Sequence, residues 1–148
     1  MGRAYLPKET KRLVFERASF TCEYCFSLDQ YSSSPFNVEH IIPVSKSGGN
    51  DIKNLALACH GCNAHKYNKM FGMDKETMHL APLYNPQINE WHKHFKWNEA
   101  FTIIIGLTPI GRATIETLHL NRFRLLNQRF VFRKAGLHPP KFTLPIIN

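Results

Sequence analysis

Cys22 and Cys25, and again Cys59 and Cys62, form two C-x-x-C pairs that together use all four cysteines of the chain. Two short thiolate knuckles, separated by enough chain to fold back, make a tetrahedral four-sulfur zinc site. The stretch between Cys25 and Cys59 is longer than a minimal zinc ribbon needs, so something is inserted there. That insertion carries Val38-Glu39-His40-Ile41-Ile42-Pro43, and Asn54 and Asn63 lie close to the second knuckle. A metal staple would therefore draw an acid, an imidazole and two amides together. The rival readings are two disulfides, or scattered buried thiols. Met1 to Lys11 is polar and basic with no apolar signal segment, so the expectation is a cytoplasmic setting, where thiols stay reduced and zinc is favoured.

The composition narrows the class of protein. The chain has 148 residues, the length of one domain with a modest core, and 43% of them are apolar. No apolar run, Ile103-Ile104-Ile105 included, is long enough to span a bilayer, so no membrane span is expected. The formal charge of +8, with eight histidines besides, suits a polyanion, with nucleic acid first.

The elements that would position these residues follow from periodicity and punctuation. Leu6 to Ala18 reads as a basic amphipathic helix beside the first knuckle. Phe26 to Pro35 is a loop, Phe36 to His40 a short strand, and Ser45 to Asp51 a turn-rich connection. Leu55 to Ala58 is a second strand leading into the Cys59 knuckle, and Asn63 to Met70 has the composition of a short polar helix. Beyond Met70 the pattern changes. Ala81 to Pro86 reads as a loop, with Phe95–Trp97 and Phe101–Ile105 as a hairpin. Thr108-Pro109 opens a helix, and Asn121 to Ala135 forms another, closed by Gly136. On that last helix Arg122, Arg129 and Arg133 share a stripe, which either faces a phosphate backbone or snorkels from a packed helix. Trp91, Phe95, Trp97 and Phe101 read as a small core.

Glu39-His40-Ile41-Ile42-Pro43, Gly48-Gly49-Asn50, Asn54-Leu55 and Cys59-x-x-Cys62-Asn63-x-x-Lys66 together resemble the HNH endonuclease family, from Cys22 to about Lys66. The resemblance implies an α+β fold: a ββα-metal (HNH) core stapled by the four-cysteine zinc site, with a mixed α/β C-terminal extension. In domain terms, residues 1–70 would form the nuclease core with its N-terminal helix. Residues 71–148 would form an extension packed on it. Hydrolysis of a phosphodiester needs an activated water, charge opposite the phosphorane and help for the leaving oxygen. His40 is the candidate general base, Glu39 and Asn63 the candidate ligands of a catalytic divalent ion, and Asn54 the residue that ties the loop and holds the His40 ring. The family's third letter is usually histidine, where this chain has Asn63, and many relatives have aspartate in place of Glu39. Oxygen ligands at both positions point to Mg²⁺ or Mn²⁺, with Zn²⁺ structural. His65 is a substitute ligand ranked below Asn63, and His60 sits in the knuckle facing solvent.

The expected function is metal-dependent endonuclease action on DNA by a one-metal, histidine-base mechanism. The alternative is a zinc-dependent nucleic-acid-binding module without catalysis. A dithiol redox role leaves the Glu39-His40 segment unexplained. Lys66, Arg112, Arg122, Arg129 and Arg133 are the candidate DNA contacts, and either a monomer or a homodimer is compatible with the sequence.

Overall fold

A computed structural model describes residues 5–145, which cluster into two compact units. One contains the chain through Met70 together with Asn85–Ile88; the other contains Phe71–Tyr84 and the chain from Asn89 onward. Among the described residues, no helix is long and apolar enough to cross a membrane.

The first unit has the order α1 (Lys8–Arg17), β1 (Asn37–His40), β2 (Leu55–Ala58) and α2 (His60–Lys66). β1 and β2 pair antiparallel, with Glu39 opposite Ala56 and His40 opposite Leu55. Leu-Ala-Leu-Ala of β2 is buried at all four positions, so both faces of this strand lie in the core. Burial of Leu55 and Leu57 alone is worth roughly 1.5–3 kcal/mol each. α1 buries Val14 and is anchored at its end by Arg17, whose guanidinium donates to the Ile52 carbonyl at 2.8 Å and also to that of Leu55. Arg12, on the solvent face, is tied to Glu9 and Glu16. The first knuckle closes through Cys22 N–H to Ser27 O (2.8 Å) and Phe26 N–H to Cys22 O (3.0 Å). α2 begins earlier than its composition indicates, because the second knuckle is itself the first turn: Cys59 Sγ accepts from Cys62 N–H. It stops at Lys66, where Tyr67 adopts a positive φ of 50°.

The second unit holds β3 (Phe71–Asp74), β4 (His79–Pro82), α3 (Trp91–His94), β5 (Phe95–Trp97), β6 (Ile104–Gly106), α4 (Pro109–Leu118) and α5 (Phe123–Lys134). β3 and β4 form a hairpin whose second strand takes in Ala81 and Pro82, so the expected loop is confined to residues 83–86. Its buried positions on β3 are Gly72 and Asp74, while Phe71 and Met73 face out, which hides the usual apolar-in alternation. Gly72 lets the hairpin lie on α4, since a Cβ there would meet Thr117 Oγ1 at 2.2 Å. Asp74 accepts from Arg112 through both oxygens, at 2.9 and 3.1 Å, and this pairing holds its carboxyl well below the ordinary range. α4 opens as expected: Thr108 Oγ1 accepts from Gly111 N–H at 3.1 Å, with Pro109 in the first turn. β6 starts later than Phe101 because Phe101 takes a positive φ and Asn98 Oδ1 caps the turn through Thr102 and Ile103 N–H. Trp91, Phe95 and Trp97 are buried here, as a core reading requires.

His138 sits edge-on to Trp97 and donates from Nε2 to the Phe101 carbonyl at 2.8 Å. Burial pushes its pKa down to about 4. A histidine whose folded pKa is depressed is held neutral by the fold. Its contribution is complete above about pH 6.5 and is lost as pH falls toward 4. Both tryptophans lie in this unit, so thermal unfolding followed by their fluorescence should show a melting temperature that drops across that interval. His138→Gln, which keeps a donor but does not titrate, should flatten the drop. An unchanged pH profile in the variant would assign it to other groups.

Candidate metal centre and histidine site

The four thiols converge at the base of the β1–β2 hairpin. Their sulfurs all lie within 4.8 Å of one another, and all four side chains are buried. Cys25 Sγ and Cys59 Sγ are 3.6 Å apart. A Zn–S bond of about 2.3 Å in a tetrahedron places sulfurs about 3.8 Å apart, so the donor set fits zinc. The cysteines are free thiols, which sets aside the disulfide reading. Burial pushes the Cys22 thiol well above its ordinary range. Among the described residues, this is the cluster of three or more histidine, cysteine or carboxylate ligands suited to hold a metal.

His40 ends β1 half-exposed, and its Nε2 lies 2.7 Å from Asn50 Oδ1. Asn50 directs its Nδ2 to the Tyr5 carbonyl, at 3.4 Å. A carbonyl only accepts, so the amide nitrogen belongs on that side and the oxygen faces the imidazole. Nε2 then carries the hydrogen, and Nδ1 of the neutral ring keeps its lone pair.

Asn54 acts one step further back. Its Oδ1 accepts from Ile42 N–H at 2.8 Å, and its Nδ2 donates to the carbonyls of Ile42 (3.1 Å) and Gly49 (2.9 Å). It closes the loop from Ile41 to Asn54, and the loop presents Asn50 to the ring. The direct hold on His40 expected of Asn54 therefore belongs to Asn50. The Gly-Asn signal was visible in the sequence only as a turn.

Glu39 and His40 are neighbours on a strand that stays regular to its end, so they turn to opposite sides. Glu39 is 6% exposed; one carboxylate oxygen accepts from the Tyr24 hydroxyl, and the other lies 3.1 Å from Lys66 Nζ. Burial raises its pKa, with Lys66 and Tyr24 acting in the opposite direction. Asn63 is half-buried on α2, and its side-chain amide makes no hydrogen bond among the described residues. The expected Glu39–Asn63 ligand pair is thus not assembled: Asn63 is available, and both Glu39 oxygens are engaged. For a catalytic Mg²⁺ or Mn²⁺, the donor set displayed does not match the one expected. His60 holds Ser34 and Asn37 through its two ring nitrogens, at 2.9 and 3.0 Å.

The expected basic contacts are mostly structural. Lys66 is 1% exposed, and its ammonium is turned into the core. Arg112 is paired with Asp74. Arg129 is 2% exposed, donates to the carbonyls of Thr102 and Leu120, and lies over Trp97. Arg122 donates to the last carbonyls of α4, and Arg133 lies over Phe101. Within the stripe Arg129 is buried, Arg122 is half-buried and Arg133 is exposed. Lys46 and Lys53 are exposed on the segment between β1 and β2, and sequence reasoning did not single them out.

Residues 22–69 match the HNH endonuclease family. Over 67 residues the chain is 31% identical to a protein named Anaredoxin from Nostoc sp. (strain PCC 7120 / SAG 25.82 / UTEX 2576), spanning 45% of this chain and 82% of that relative. The chain belongs to the HNH endonuclease family, in a variant whose ββα core carries four cysteines positioned to hold a metal.

The loop has one position with no steric latitude. A Cβ on Gly48 would lie 1.7 Å from the Ile42 carbonyl oxygen and 3.0 Å from Asn54 Nδ2. Gly48→Ala should therefore displace the loop, costing on the order of 2–3 kcal/mol in denaturant unfolding. Gly49→Ala, where nothing lies within 4 Å, should cost much less. Equal losses would show that the Ile42–Asn54 closure is not the constraint.

Proposed function

We propose that this protein is a metal-dependent endonuclease that hydrolyses phosphodiester bonds of DNA, with His40 as the general base. The observation that carries the reading is the His40 imidazole, half-exposed and fixed through Nε2 by Asn50 at 2.7 Å. A ring held in this way offers Nδ1 to a water. Asn50 accepts from Nε2–H and so stabilises the imidazolium that forms when Nδ1 takes the proton. Asn54 keeps the loop closed so that Asn50 stays in place. Lys46 and Lys53 would meet the phosphates on either side of the scissile bond. A divalent ion such as Mg²⁺ or Mn²⁺, when bound, would supply positive charge opposite the phosphorane, and Asn63, whose amide has no hydrogen-bond partner among the described residues, is the side chain that would hold it together with water and phosphate oxygens. Zn²⁺ on the four cysteines is structural in this reading.

A second reading has its own observation. Glu39, the acid expected on the catalytic metal, is locked inside on Lys66 and Tyr24, which favours a zinc-dependent nucleic-acid-binding module without catalysis. Conversion of supercoiled plasmid by the zinc-loaded protein, with Mg²⁺ or Mn²⁺ and with EDTA, separates the two. The nuclease reading predicts metal-dependent nicking that falls by about 10²-fold or more in His40→Ala. In Asn50→Ala the rate should fall by a smaller factor, with DNA affinity retained. Salt-dependent DNA binding with no cleavage under any of these metals would favour the binding module, and cleavage that survives His40→Ala would remove His40 as the base.

A further inference from the structure

Lys66 carries three N–H donors and no acceptor. Three acceptors surround it: Glu39 Oε2 at 3.1 Å, the Ile41 carbonyl at 2.9 Å and the His40 carbonyl at 3.4 Å. Glu39 in turn has one oxygen on Lys66 and the other on the Tyr24 hydroxyl. Acid and ammonium are 6% and 1% exposed, so neither draws its solvation from bulk water. A divalent ion at Glu39 would have to displace these partners and would sit against a buried ammonium of like charge.

We infer that Lys66 is the permanent counter-cation of Glu39, and that the pair is a positioning device for His40 and not part of a divalent-metal site. Lys66 reaches from α2 to the carbonyls of His40 and Ile41, at the point where β1 ends. Asn63 lies three residues earlier, on the same face of α2. The ion pair thus ties the helix that carries Asn63 to the strand that carries His40. This assignment of Glu39 concerns what the acid binds and does not rest on cleavage.

The test uses the zinc-loaded full chain. With ¹⁵N-labelled lysine, the Lys66 Nζ resonance should be unmoved by millimolar Mg²⁺, and Mn²⁺ affinity read by electron paramagnetic resonance should be the same, within about twofold, in wild type and Glu39→Gln. Displacement of the Lys66 signal by Mg²⁺ would overturn the inference. So would a loss of Mn²⁺ affinity of about tenfold or more in Glu39→Gln, the range seen when a ligand or its support is removed. For the positioning role, Lys66→Met should shift the His40 ring signals and Lys66→Arg should restore them; unmoved ring signals in a folded Lys66→Met protein would refute it. Should Lys66→Met fail to fold, the His40 ring signals of Glu39→Gln decide the positioning role: a shift supports it, and unmoved signals refute it. An uncut plasmid with an unmoved Lys66 signal counts against the nuclease reading alone. Cleavage together with Glu39-dependent Mn²⁺ binding overturns only this inference.

Discussion

Four buried thiols within 4.8 Å of one another cannot all ionise unless a cation sits among them. A zinc ion would meet that constraint, and most of the first unit's geometry converges on the four sulfurs. Cys22 and Cys25 come from the turn after α1, Cys59 from the end of β2, and Cys62 from α2. Linking them fixes the hairpin against the helix within a core too small to enforce that angle by burial alone. β2, buried along its whole length, passes through the middle of this arrangement. Glu23 reinforces the join, donating its N–H to the Leu57 carbonyl at 2.9 Å and accepting Leu57 N–H on its side chain at 2.7 Å.

On this frame His40 is positioned in two separate ways. Its backbone is held from inside, where Lys66 takes the carbonyls of His40 and Ile41. Its ring is held from outside, where Asn50 takes Nε2. The strand pleat separates the two functions: Glu39 serves the interior and His40 the exterior. Each residue in the sequence motif has a structural place, but they do not all converge on one point. Asn54 works through the loop, Asn50 through the ring, and Glu39 through the buried pair.

Much of the first unit was legible because its signals are local. The C-x-x-C pairs specify a four-sulfur site, and Leu-Ala-Leu-Ala specifies a buried strand. What could not be read was side-chain partnership. Nothing in the spacing of Glu39 and Lys66 announces an ion pair between strand and helix, and Asn50 looks like one more turn residue. The β3–β4 hairpin escaped because its buried face on β3 is Gly72 and Asp74, while Phe71 and Met73 point outward. The arginine stripe was legible as a pattern, yet tertiary context places Arg129 inside, against Trp97 and two carbonyls, which periodicity cannot distinguish from a solvent face.

Because His40 ends the strand that the four cysteines would tie to α2, and Asn50 holds its ring, zinc should set the state of that ring. The ¹⁵N signals of His40 should be followed in the full chain as zinc is removed with a chelator and then restored. The account predicts an Nε2–H tautomer in the zinc-loaded protein, lost on chelation and recovered when zinc returns. An Nδ1–H tautomer in the loaded protein, or ring signals indifferent to zinc, would contradict it.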